Sequence, residues 1–80
     1  MNLQKAVALR MSELLLERNM SQYALSLKAG LTKQAISNII NEKYSSIKFE
    51  TVIKIADAFD MTVQEFLAND IFKRDNLDID

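Results

Sequence analysis

Ser21-Gln22-Tyr23-Ala24-Leu25-Ser26-Leu27-Lys28-Ala29-Gly30-Leu31-Thr32-Lys33-Gln34-Ala35-Ile36-Ser37-Asn38-Ile39-Ile40-Asn41 decides the fold, because the same helix-start signal occurs in it twice, with the chain's one glycine between. Serine is a preferred N-cap, since its hydroxyl accepts from backbone N–H groups that a helix start leaves unpaired. Ser21 therefore opens a short helix, and Met20 before it packs on Leu25 as a hydrophobic staple. Gly30 ends that helix, because glycine takes positive φ without penalty. Leu31-Thr32 repeats staple and cap, with Ile36 as the staple partner, and a further helix starts at Lys33. Ala35, Ile36, Ile39 and Ile40 fall on one side of it, and Lys33, Gln34, Ser37, Asn38 and Asn41 on the other.

Upstream, Val7, Met11, Leu14 and Leu15 recur at three- and four-residue steps, which predicts a first helix from about Leu3 to Arg18 that Asn19 can end. Downstream, a loop from Glu42 to Ile47 leads to a fourth helix whose buried stripe reads Phe49, Val52, Ile53, Ala56 and Phe59. Lys48 is a poor N-cap for it, and Asp60 takes the following turn. Thr62 and Glu65 form a capping box with Met61 and Phe66 as its staple, and this opens a fifth helix. The expectation is an all-α, five-helix domain over residues 1–68, with residues 69–80 as a tail that is partly helical or disordered.

Composition narrows the chemistry. Eighty residues with no cysteine and no histidine hold one small core, no disulfide, and neither a thiolate nor an imidazole for metal or nucleophilic catalysis. No proline and a single glycine leave no glycine-rich loop for a nucleotide phosphate. The longest apolar run, Ala6-Val7-Ala8-Leu9, is far below the ~20 residues of a membrane helix, so a cytoplasmic location and no membrane partner are expected. The aspartates of Asp75-Asn76-Leu77-Asp78-Ile79-Asp80 lack the glycine and closing glutamate of a calcium loop. No enzyme, metal or cofactor is expected.

Charge is bipolar beneath a net −1. Residues 1–48 carry seven bases against three acids, a balance of +4; residues 49–80 carry three against eight, a balance of −5. From Arg18 to Lys48 there are five bases and one acid, a local field that draws a polyanion. Two short helices joined by a tight turn, the second with a polar outer face, match the size and chemistry of the DNA major groove. Gln34 and Asn38 each carry the donor and acceptor that adenine accepts bidentately, and Lys33 can donate to guanine.

The stretch from Ser21 to Asn41 resembles the Cro/CI-type, XRE-like helix-turn-helix regulators. So do Phe49-Glu50-Thr51-Val52-Ile53-Lys54-Ile55-Ala56-Asp57-Ala58-Phe59 and Thr62-Val63-Gln64-Glu65-Phe66-Leu67, so the likeness covers roughly residues 8 to 67. It implies a lambda-repressor-like domain that binds double-stranded DNA. Lys33, Gln34, Ser37 and Asn38 match the family's base-reading positions. Gln22 matches a glutamine that touches a phosphate and braces the recognition helix, and Thr32, Asn41, Lys43, Tyr44 and Ser45 match positions near the DNA backbone. Tyr23 is expected to pack its ring rather than meet DNA.

The departures from that family also bear on structure. Many relatives have glycine where Glu42 stands, so Asn41 is expected to take the left-handed cap. Many also pair an arginine at the position of Leu15 with a glutamate at that of Ile40. Here both are apolar, which predicts a Leu15–Ile40 contact within ~4.5 Å in the core.

The leading expectation is a sequence-specific transcriptional regulator, a repressor, that sets the helix of about 33–40 in the major groove as a homodimer. Phe66, Leu67, Ile71 and Phe72 are the dimer candidates. The alternative is a protein-interaction module, such as an antitoxin or anti-repressor, that works through the acidic Asp70, Asp75, Asp78 and Asp80 region.

Overall fold

The computed structural model describes residues 1–78, so Asp80 of the acidic series lies outside the described residues. Five α-helices follow in order: α1 (Leu3–Glu17), α2 (Gln22–Ala29), α3 (Lys33–Ile40), α4 (Phe49–Ala58) and α5 (Val63–Leu67). Two single 3-10 turns, Asp70–Phe72 and Arg74–Asn76, complete them. Among the described residues there is no strand, and no helix is long and apolar enough to cross a membrane.

The helix starts form where the cap residues stand. Ser21 Oγ accepts from Ala24 N at 3.0 Å, and Thr32 Oγ1 from Ala35 N at 3.0 Å. The capping box of α5 closes in both directions: Glu65 N donates to Thr62 Oγ1 at 3.1 Å and Thr62 N to Glu65 Oε1 at 2.9 Å. Lys48 caps α4 without a side-chain hydrogen bond. Asn19 and Asp60 take positive φ after α1 and α4, and Gly30 does so after α2.

The end of α3 differs from expectation. Asn41 keeps φ −91, and Glu42 adopts the left-handed conformation at φ 56. The Asn41 amide donates back to the Ser37 carbonyl at 2.9 Å, which keeps Asn41 on the helix and moves the reversal one residue on. A non-glycine residue in that conformation costs about 1–2 kcal/mol.

Val7, Met11 and Leu14 of α1 meet Leu25, Ala29, Ile36, Ile39, Val52, Ile55, Ala56, Phe59 and Phe66 in one core. The α4 stripe is rotated from the expected one. Phe49, 61% exposed, and Ile53 face outward, while Ile55 is buried beside Val52, Ala56 and Phe59. Glu50, Lys54 and Asp57 share one side of α4, and the opposite side centres on Val52, Ile55, Ala56 and Phe59, so the helical period itself favours Ile55 over Ile53. Packing against α2 and α5 holds that rotation.

Two arginines of α1 hold helix ends in place. Arg10 donates from Nε to the Phe66 carbonyl at 2.8 Å and from Nη2 to the Glu65 carbonyl at 3.3 Å. Arg18 donates from Nη1 to the Phe59 carbonyl, which ends α4. The Phe66 and Phe59 carbonyls are end-of-helix acceptors that the guanidinium groups satisfy, whereas the Glu65 carbonyl also accepts from Ala68 N at 3.2 Å.

The segment after α5 folds back. Phe72 sets its ring 6.1 Å from that of Phe66, the turn at Asp70–Phe72 packs on α1, and Asp78 N donates to the Met1 carbonyl at 2.7 Å. Phe66 is 0% exposed, so this dimer candidate is corrected to a core residue of its own chain. Phe72 is half-buried on top of it, and Leu67 and Ile71 keep partial exposure.

Candidate nucleic-acid interface

Ile36 and Ile39 pin α3 to the core, and this turns Lys33 and Gln34 fully outward with Ser37 and Asn38 half-covered beside them. The face is internally bonded. Gln34 Nε2 donates to Asn38 Oδ1 at 2.8 Å, and Asn38 Nδ2 donates to the Tyr44 hydroxyl oxygen at 3.3 Å. Asn41 Nδ2 also reaches Ser37 Oγ at 3.2 Å. Two of the expected base-readers, Gln34 and Asn38, are therefore joined to Tyr44, a residue expected at the DNA backbone.

The flanks are placed as follows. Thr32 accepts as the α3 cap, and its hydroxyl proton remains available to a phosphate. The positive end of the α3 dipole lies there as well, with Lys33 at the first helical position. Lys43 extends its side chain into solvent while its backbone N–H bonds the Asn38 carbonyl at 2.8 Å. Ser45 is exposed, and its carbonyl accepts from Gln4 Nε2, so the loop is tied to α1. Gln22, at the first position of α2, sits half-buried in a groove it shares with Leu15 of α1 and Ile40 of α3.

Tyr23 corrects an expectation, since its ring is 57% exposed rather than packed. Arg18 keeps its charge in the positive field, but its Nη1 is committed to the Phe59 carbonyl and so is tied to the end of α4. Lys28, Lys33, Lys43 and Lys48 are exposed, and among the described residues none of them forms an ion pair. By contrast, Lys54 and Lys73 in the acidic half pair with Glu50 at 3.4 Å and Asp70 at 3.3 Å. Four exposed cations that form no ion pair among the described residues thus lie between α2 and the start of α4, with Lys5 on α1 as a fifth.

Two features escaped the sequence reading. The Tyr44–Asn38 bond spans six positions across the loop, outside any helical spacing. Phe49 lines an open apolar groove of about 340 Å3 together with Leu3, Val7, Ile47 and Leu67. Phe49 stands near the edge of the apolar side of α4, where the helical period gives only a weak signal of its outward position.

No curated protein matches the chain. The helix-turn-helix family model matches residues 11–66, which includes Met11 and Leu14 of α1, both helices around the Gly30 turn, all of α4 and α5 as far as Phe66. With that match and this geometry, the chain belongs to the Cro/CI-type, XRE-like helix-turn-helix family of DNA-binding transcription regulators.

Proposed function

We propose that the protein is a repressor that places α3 in the major groove and binds as a homodimer. The observation that carries this reading is the α3 face itself, where Lys33, Gln34, Ser37 and Asn38 offer donors and acceptors above Ile36 and Ile39, between unpaired lysines. Lys33, Gln34, Ser37 and Asn38 read base edges; Gln22, Thr32, Asn41, Lys43, Tyr44 and Ser45 serve the sugar-phosphate backbone. Occupancy is sufficient for repression, since a bound domain excludes polymerase from the same duplex. A single eight-residue helix reads only a few base pairs, so two copies on half-sites ~34 Å apart supply the remaining specificity. Leu67 and Ile71, with the groove beside Phe49, are the apolar surface for that pairing.

Duplexes selected from a random-sequence pool, titrated across a salt series, test the reading. Log affinity should fall steeply with log salt. Gln34→Ala should relax preference at one base position, whereas Lys43→Ala should weaken every duplex alike and reduce the salt slope by about 1. Absence of any complex at low salt, or of any preferred sequence, would defeat the proposal.

A further inference from the structure

The recognition face carries a hydrogen-bond chain with a direction. Gln34 donates one N–H to Asn38 Oδ1, and Asn38 passes one N–H to the Tyr44 oxygen. Counting donors and acceptors shows what is left over. Gln34 keeps its carbonyl oxygen and one N–H, the two groups that adenine's amino group and N7 require. Asn38 has committed one carbonyl lone pair to Gln34 and one N–H to Tyr44, so it keeps one of each and is the more encumbered of the two amides. Tyr44 accepts within the chain and therefore keeps its hydroxyl proton for an outside acceptor.

Tyr44 also lines a groove with Leu31, Ala35, Ile39 and Ile47, on the side where α3 meets the following loop, and stays 41% exposed. Its phenol oxygen meets Asn38 at that surface, and Asn38 in turn accepts from the Gln34 amide.

We infer that Tyr44 is a positioning residue for base reading: its hydroxyl, acting through Asn38, sets the amide plane of Gln34 and couples a phosphate contact at Tyr44 to adenine recognition at Gln34. The inference rests on the proposed placement of α3 in the major groove and goes beyond it, by making one anchor part of the reading apparatus. A phosphate oxygen that accepts the Tyr44 proton makes the phenol oxygen a stronger acceptor for Asn38, because bonds in a chain polarise one another. That in turn tightens the hold on Gln34. A duplex whose backbone lies out of register with Tyr44 loses this support, so DNA shape and base identity are read together.

A double-mutant cycle on selected duplexes tests the coupling. The base read by Gln34 is defined as the position whose preference disappears in Gln34→Ala. Tyr44→Phe keeps the ring and removes the hydroxyl, and discrimination at that position should fall about 2- to 12-fold, the range that one hydrogen bond spans. Preferences at other positions should stay within about twofold of wild type. In the Gln34→Ala background, Tyr44→Phe should change no base preference at all. An equal loss on every duplex with the ratio intact, or additive effects of the two changes, overturns the coupling while leaving the major-groove reading standing. If the wild-type chain selects no sequence, or Gln34→Ala erases no preference, the placement of α3 falls and the inference falls with it. A lowered thermal midpoint of Tyr44→Phe with proportionate losses at all positions also overturns it, because Tyr44 would then be only a packing residue.

Discussion

Arg10 lies with its guanidinium carbon 5.8 Å from the centre of the Phe66 ring while its Nε proton bonds the carbonyl of that same residue. One side chain therefore holds Phe66 by ring and by backbone. Because α5 has only five residues, the Phe66 carbonyl depends on this donor, while the Glu65 carbonyl also accepts from Ala68 N at 3.2 Å. Arg10 is only 9% exposed, so its removal would leave the Phe66 carbonyl without its donor in a covered site. Arg10→Ala should lower unfolding free energy by about 2–4 kcal/mol in urea titration, and Arg10→Lys should recover only part, since an ammonium cannot offer the same fork. An Arg10→Ala protein as stable as wild type would refute the double hold.

The capping box gives α5 an acid-sensitive start. Donation from the Thr62 backbone N–H, and then the bond with its hydroxyl, hold the Glu65 carboxyl below the ordinary glutamate value of 4.5. Because the folded value lies below the unfolded one, this contribution is complete above that ordinary value and is lost as pH falls through the depressed one. Glu65→Gln should therefore be less stable than wild type at neutral pH, and the gap should narrow in acid. Urea midpoints for both proteins at pH 7 and pH 3 check this, and a gap that widens in acid contradicts it.

Leu15 and Ile40 both line the groove between α1 and α3, where many relatives carry an arginine and a glutamate. A lone charge placed there would be partly desolvated with no counterion. Leu15→Arg and Ile40→Glu should each cost about 1–3 kcal/mol, and the double variant should regain about 0.5–3 kcal/mol of the summed loss through pairing. Strict additivity in thermal unfolding would show that the two positions do not meet.

Phe49 offers a separable test of self-association. It opens α4 with its ring largely in solvent, so Phe49→Glu removes little packing and places an acid at the favourable end of the helix dipole. Stability should change by less than about 0.5 kcal/mol. Sedimentation should show weaker dimerisation, with half-site affinity retained and cooperative binding to paired half-sites reduced. Unchanged self-association would refute the groove beside Phe49 as the contact of the proposed homodimer, and a wild-type chain that stays monomeric would refute the homodimer itself.

What was legible in the sequence depended on whether the signal was local. Ser21, Gly30, Thr32 and the Thr62–Glu65 box act within four residues of themselves, and each is where the sequence placed it. The outward face of α3 was readable for the same reason, because Ile36 and Ile39 contrast sharply with Gln34. On α4 the polar residues Glu50, Lys54 and Asp57 mark an outer face, and the side opposite them favours Ile55 over Ile53, so the expected stripe followed the wrong edge of the apolar side. Arg10 and Phe66 are 56 positions apart, and nothing in either neighbourhood announces their bond. Phe66 was weighed as a dimer contact because its apolar character did not reveal which surface would cover it.

Glu42 combines a left-handed backbone with an acid beside Lys43, where relatives have glycine. Glutamate and glycine codons differ by a single nucleotide. Reversion would ease the torsion, at a smaller entropic cost, and delete a repulsion toward phosphate. On the proposed placement of α3, the chain thus sits one mutational step from a firmer grip on DNA, and position 42 becomes a dial for residence time that leaves the α3 face unaltered.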